Sequence, residues 1–189
     1  MTDTANPVLQ FMLTRRSRPA KLLRAPGPDR AALEPMLQAA ARVPDHGKLE
    51  PWRFIVLEQP AGARVAGQIM EYARTRELEG EKPARAFIDS PVCVAVIASP
   101  KPSQKIPELE QTLSVGAVCL GLVNAALATG WGANWLTGWP AHDGALMTQI
   151  LGLAPQEWVA GFIHIGTADT APPDRPRPDM NAITDWVQT

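Results

Sequence analysis

From Val115 to Leu127 the chain reads Val-Gly-Ala-Val-Cys-Leu-Gly-Leu-Val-Asn-Ala-Ala-Leu, and a helix of that sequence is apolar on nearly every side. A helix hydrophobic all round is either buried or crosses a membrane. A span needs about 20 predominantly apolar residues. Here Glu108, Glu110 and Gln111 before the run, and Gly130 after it, leave the window marginal. The chain has 189 residues, a little over one typical domain and enough for a sizeable core. One small domain can hardly cover such a helix from every direction. The feature therefore predicts an interface between two copies of the chain and no membrane span, with Gly116 and Gly121 permitting close helix approach.

Shorter signals fill in the rest. Pro7 to Thr14 reads as a first helix burying Val8, Phe11 and Met12. Pro26-Gly27-Pro28-Asp29 reads as a turn, with Asp29 a helix N-cap. The helix after it carries Leu33, Met36, Leu37 and Ala40 on one face, and Pro35 inside it predicts a later start or a kink. Trp52–Glu58 reads as a strand, Ala63 to Arg76 as a helix, and the charged stretch Glu77 to Arg85 as an exposed loop or lid. Val92–Ala98 is a continuous apolar run of strand length, the pattern of a strand buried on both faces. Leu109 to Thr129 is the longest helix. Gly132–Leu136 reads as a strand, Asp143 to Leu151 as a helix and Val159–Gly166 as a strand. The proline-rich stretch from Ala171 to Asp179 packs as neither helix nor central strand. It predicts an extended arm over 171–189, with Ile183 to Val187 as a last edge strand.

Composition narrows the function classes. A formal net charge of −1 and a pI near 6.3 give no electrostatic footprint for nucleic acid or an anionic membrane. Cys93 and Cys119 sit in apolar runs as buried thiols, which points to a reducing compartment. The first residues lack the basic region of a signal peptide, so the cytoplasm is the expected location. His46, His142 and His164 share no ligand spacing with each other or with the cysteines, so no metal site is expected. No G-x-G-x-x-G, P-loop or G-x-S-x-G motif is present.

Two segments concentrate chemistry. Thr14-Arg15-Arg16-Ser17-Arg18 places three cations and two hydroxyls just after a short helix. Arginines and a serine there suit a phosphate, or satisfy the macrodipole of a helix C-terminus. Pro44-Asp45-His46-Gly47-Lys48-Leu49-Glu50-Pro51-Trp52-Arg53-Phe54 joins a helix to a strand. A plain connection of that kind needs only a glycine and a polar residue or two.

Arg-Arg-Ser near the start, followed by P-x-H-x-x-x-x-P-W-x-F, resembles the FMN-dependent nitroreductase family, and most closely its small branch. The resemblance runs over nearly the whole chain. It implies an α+β fold, a mixed or antiparallel sheet flanked by helices, in an intertwined homodimer. It implies FMN as cofactor, NAD(P)H as co-substrate and a small electron-poor acceptor such as a nitroaromatic or quinone. By that likeness Arg15, Arg16 and Ser17 hold the phosphate. Arg177 is its second cation, with Arg175 reaching toward the ribityl chain or ring edge. Pro44, Asp45, His46 and Lys48 contact the ring from the partner subunit, with Arg42 a further contact. The common family turn is P-S-S-x-N-x-Q-P-W. Asp45 and His46 stand at its serines, Lys48 at its asparagine and Glu50 at its glutamine. Lys48 would stabilise the reduced flavin, as Pro19 occupies the position where larger members carry a lysine. His46 would touch flavin or donate a proton.

Asn134-Trp135-Leu136-Thr137-Gly138 resembles the family strand end beside flavin N5. That likeness makes Leu136, Thr137 and Gly138 cofactor contacts, although the small branch commonly has arginine at Leu136. Trp131, Trp135 and Trp139 recur every fourth residue, as core or as a stacking surface for substrate. No side chain is assigned a catalytic role. Flavin fragmentation, reductive dehalogenation and non-enzymatic flavin binding are the alternatives on the same scaffold.

Overall fold

The computed structural model describes residues 6–170 and 172–189. In chain order the elements are α1 (Pro7–Thr14), α2 (Arg30–Ala40), β1 (Trp52–Glu58), α3 (Gln59–Arg74), α4 (Glu81–Asp89), β2 (Val92–Ala98), α5 (Glu108–Ala128), β3 (Gly132–Leu136), α6 (Gly138–His142), α7 (Gly144–Leu151) and β4 (Trp158–Gly166). Short 3₁₀ turns lie at Ala20–Leu22, His46–Lys48 and Met180–Ala182. The four strands form one sheet in the order β1-β2-β4-β3, and every neighbouring pair is antiparallel.

The sheet is covered on both sides, as the unbroken apolar run of β2 requires. Every residue of β2 is buried. Successive side chains of a strand point to opposite faces. Val94 and Val96 accordingly pack with Leu33 and Met36 of α2 and Val118 and Leu122 of α5. Cys93, Ala95 and Ile97 pack on the other face with Val65 and Ile69 of α3, Phe87 of α4 and Met147 of α7. This is an α+β sandwich of helix, sheet and helix layers.

Helix α5 puts only one side into this core. Val115, Val118, Cys119, Leu122, Val123 and Ala126 are buried, and Gly121 lies on α2, where a Cβ would come within 3.2 Å of the Ala40 backbone. Leu109, Leu113 and Leu120 are 68%, 65% and 46% exposed, and a Cβ on Gly116 would meet nothing within 4 Å. Residues 109, 113, 116 and 120 form one helical stripe at i, i+4, i+7 and i+11, so the outer face is apolar and open.

Four expectations are corrected. The stretch Glu77 to Arg85 is not a loop throughout: α4 begins at Glu81, and its Ala84 and Phe87 join the core with α3. Helix α2 begins at Arg30, with Asp29 accepting the Ala32 N–H at 2.8 Å, and it runs through Pro35 without a later start. Val8 and Met12 of α1 are exposed at 68% and 57%, and α1 buries no residue within the chain. Residues 183–187 form no strand; Ile183, Trp186 and Val187 stand largely exposed.

Candidate active site

The segment after α1 docks along β3, the edge strand. The Arg18 N–H donates to the Ala133 carbonyl at 2.8 Å, and Arg24 bridges to Thr167 just after β4. This docking fixes Arg15, Arg16 and Ser17. Arg15 Nη2 donates to Ser17 Oγ at 3.0 Å. Arg15 Nε is buried without a partner, one of two such side-chain atoms among the described residues, the other being Asn124 Oδ1. Burial first, then the charges of Arg177, Arg16 and Arg18, hold the Arg15 pKa below its ordinary value. A half-buried guanidinium beside three more cations and with an unpartnered Nε is an environment that favours an anion.

The C-terminal arm closes this cluster. Arg16 donates to the Pro173 carbonyl and lies 3.5 Å from Asp174. Arg177 Nη2 binds the same Asp174 carboxylate at 2.8 Å. Backbone hydrogen bonding at Arg175, then the Arg177 charge, lower the Asp174 pKa. Arg15, Arg16, Ser17 and Arg177 are therefore brought together, with Arg16 already serving as a latch for the arm. Arg175 is exposed. Asp174 and Arg18 were missed from sequence. Arg18 is in the motif, but its docking on β3 is a tertiary fact.

Leu136, Thr137 and Gly138 form the corner where β3 ends and α6 starts. Gly138 has φ +67°, a conformation that favours glycine. The corner opens onto a cavity of about 710 Å³, lined also by Ala20, Lys21, Phe87, Trp139 and Phe162, within the size range of small-molecule sites. Lys21 is a cation on this rim that sequence reading passed over.

At the cavity's back His164 is buried in a closed network. Ser90 Oγ donates to the Ala86 carbonyl at 2.7 Å and so accepts from His164 Nδ1, also at 2.7 Å. Cys93 Sγ lies 4.0 Å from His164 Nε2. Burial lowers the His164 pKa to about 4 and pushes the Cys93 thiol well up. The pair is a neutral imidazole and an inert thiol, as the sequence pattern of a satisfied core histidine implies.

The three tryptophans take different places. Trp131 packs on the α5 side of the core. Trp135 lies over Gly161, where no Cβ would fit, and donates to the Ala160 carbonyl at 3.2 Å. Only Trp139 reaches the cavity.

The other predicted group sits elsewhere in this chain. Arg42, Pro44, Asp45, His46 and Lys48 lie at or after the end of α2, beside the first turns of α5. Ser114 Oγ donates to the Pro44 carbonyl at 2.7 Å, and His46 Nδ1 pairs with Glu110 Oε2 at 2.7 Å. The Asp45 carboxylate accepts the Leu49 and Glu50 N–H groups at 3.2 and 2.9 Å. Gly47, Lys48 and Glu50 have φ of 74°, 54° and 48°. Holding two non-glycine residues there costs on the order of 1 kcal/mol each. The turn is thus a strained, exposed shape locked by Asp45. It feeds β1, and the corner at Gly138 follows β3, so three strand spacings, roughly 14 Å, separate their edges within one chain.

The Nitroreductase family pattern matches residues 12–167. A Haemophilus influenzae protein named "Putative NAD(P)H nitroreductase" is 34% identical over 164 residues, covering 84% of this chain and 87% of that protein. The nitroreductase-like family protein from Bacillus cereus superposes with a TM-score of 0.82 at 21% identity, over 97% of both chains. A Desulfovibrio desulfuricans protein crystallised in complex with FMN gives a TM-score of 0.77 at 21% identity, over 97% of this chain and 99% of that one. With its helix–sheet–helix layers and a match from the end of α1 to the end of the sheet, this chain belongs to the nitroreductase family.

Proposed function

We propose that this protein is an FMN-dependent oxidoreductase, a cytosolic homodimer in which residues 1–189 form one cofactor-binding unit and each of two sites is shared between subunits. Electrons would pass from NAD(P)H to an electron-poor acceptor, a nitroaromatic or quinone, by a ping-pong mechanism in which the two substrates use one site in turn. The observation that carries this reading is Arg15, a half-buried guanidinium with an unpartnered Nε among Arg16, Arg18 and Arg177. That donor set fits a phosphate dianion, which accepts charge-assisted hydrogen bonds from guanidinium forks.

When bound, FMN supplies the hydride and electron chemistry, and the protein supplies position and electrostatics. Arg15, Ser17 and Arg177 would hold the phosphate end, and Arg16 keeps the arm in place beside them. Gly138, with φ +67°, lets the backbone turn at the Leu136–Gly138 corner, whose residues would contact the flavin ring. The turn from Pro44 to Lys48, presented by the partner, would complete the site, with His46 contacting the flavin and Lys48 supplying positive charge to it. Arg42 and Arg175 complete the polar periphery. The strip formed by Leu109, Leu113, Gly116 and Leu120 supports the dimer, because burying one exposed leucine contributes about 2 kcal/mol.

Two measurements test the proposal. Light scattering at micromolar concentration should give twice the 20.4 kDa chain mass. The purified protein should be yellow and should bleach on anaerobic addition of NADH or NADPH, then recover its colour with a nitroaromatic. A bound flavin that neither nucleotide reduces makes the protein a flavin carrier; a stable monomer removes the shared site.

A further inference from the structure

The wall of the cavity facing the Gly138 corner is held by more than helix packing. The link from α3 to α4 turns through Glu77 at φ 55° and then Gly80, where a Cβ would come within 2.6 Å of that of Ala73. Between them, the Glu79 carbonyl accepts the indole N–H of Trp139 at 2.8 Å. The Trp139 ring is stacked on Tyr72 of α3, with centroids 6.2 Å apart and planes 19° apart. Tyr72 is pinned in turn: its hydroxyl donates to Asp143 Oδ2 at 2.7 Å, and the Arg76 guanidinium sits 3.6 Å from its ring centroid. Asp143 also caps α7 through the Leu146 N–H at 2.9 Å. One side chain, covalently next to Gly138, therefore ties the cavity wall to α3 and to the strand-end corner at once.

We infer that Trp139 is a positioning residue that sets the width of the cavity between α4 and the Leu136–Gly138 corner, and that this width selects flat aromatic acceptors by ring size. The inference rests on the redox reading of this site. The cavity floor is apolar, with Leu136, Pro140, Phe87 and Phe162, while its rim carries both signs of charge in Glu81 and Lys82. An uncharged ring body with a small polar group suits such a lining. Loss of the indole donor frees the Glu79 segment, widens the slot and favours the larger ring.

Trp139→Phe in the full-length, flavin-loaded dimer keeps an aromatic ring against Tyr72 but removes the donor together with part of the ring that lines the cavity. Tyr72→Phe, outside that lining, is therefore the variant that isolates the positioning effect. Equilibrium dialysis against nitrobenzene and 1-nitronaphthalene, without nicotinamide, should show the affinity ratio moved about fivefold toward the larger ring. In turnover with NADH the KM ratio should move likewise while kcat for each acceptor changes by less than about twofold. Tyr72→Phe, which keeps the stack and loses the Asp143 bond, should move both ratios the same way by a smaller factor. It also keeps the test alive if Trp139→Phe does not fold. Equal losses toward both rings, or ratios unmoved in both variants, overturn the inference. A wild-type protein that discriminates the two rings in dialysis yet takes no electrons from NAD(P)H overturns the proposed reaction and leaves the role of Trp139 standing.

Discussion

The Arg15 cluster and the Asp45–Glu50 turn are both polar, motif-bearing segments, but the fold treats them oppositely. The cluster is finished within one chain: docked on β3 by Arg18, latched by Asp174 on the arm and half-buried around Arg15. The turn is finished only as a shape. Its backbone is locked by Asp45, yet Lys48 and His46 stand exposed beside α5, at the opposite edge of the sheet from Gly138. In the proposed shared site, one half is preassembled within the chain and the other would be presented to a partner. Among the described residues the turn lines neither the cavity at the Gly138 corner nor the one between α3 and α7, and the proposed dimer would bring it to a partner's cavity.

The sharpest way to break this contrast is Arg15→Ala. Losing a charge-assisted contact of about 1.5–3 kcal/mol should weaken FMN binding roughly ten- to a hundredfold, read by flavin fluorescence on dilution. Riboflavin, without the phosphate, should bind variant and wild type alike. FMN affinity left unchanged would move the phosphate away from the preassembled half.

Acid should distinguish the buried side of the site next. His164 has a folded pKa near 4 against an ordinary 6.5, so the unfolded chain takes up the proton first as pH falls. Its stabilising contribution is full above pH 6.5 and is lost on the way down to 4. Between pH 7 and 4.5 the loss is about 2.5 kcal/mol, measured by urea unfolding at both values. His164→Gln should flatten that part of the profile. Glu157, held near 2 first by its hydrogen bond from Arg53, loses its contribution only as pH falls below its ordinary value of about 4.5, so the two windows separate.

Mixed dimers test presentation directly. In a dimer of one Arg15→Ala chain and one His46→Ala chain, a site shared between subunits leaves one of the two sites wholly wild type and the other doubly altered. A site built within each chain leaves neither intact. Half the flavin sites should therefore keep wild-type affinity, and none doing so would end the two-region account.

The smallest effect belongs to Lys48→Met. If the partner's Lys48 lies beside the ring, removing its charge should lower the FMN potential by about 30 mV, the equivalent of roughly 1.4 kcal/mol for two electrons. A redox titration against a reference dye checks it. An unchanged potential shifts attention to Lys21, the cation already on the cavity rim.

Where local pattern and burial agree, the chain could be read directly. Val92–Ala98 and Gly132–Leu136 are strands with those bounds, because a short apolar run between punctuating residues has one stable use in a covered sheet. Asp29 caps α2 because its carboxylate has an orphan N–H to accept. The charges of Glu77 to Arg85 concealed the start of α4, since only Ala84, Ala86 and Phe87 turn inward. Ile183 to Val187 has strand-like residues but pairs with no strand, and propensity without a partner makes none.

The motifs set the expected chemistry: guanidinium groups suited to a phosphate, a polar turn too rich for a mere connection and, by family resemblance alone, a glycine corner for a ring edge. They also required that the apolar helix α5 be covered. Only the tertiary structure decided that α5 is covered on one face and open on the other, that Arg16 is a latch while Arg15 is left short of acceptors, and that the two motif segments end at opposite edges of one sheet. Residue chemistry is local and can be read along the chain. Which donors remain unpaired, and which faces remain uncovered, depends on contacts between residues far apart in sequence, and those exist only once the sheet has set its strand order.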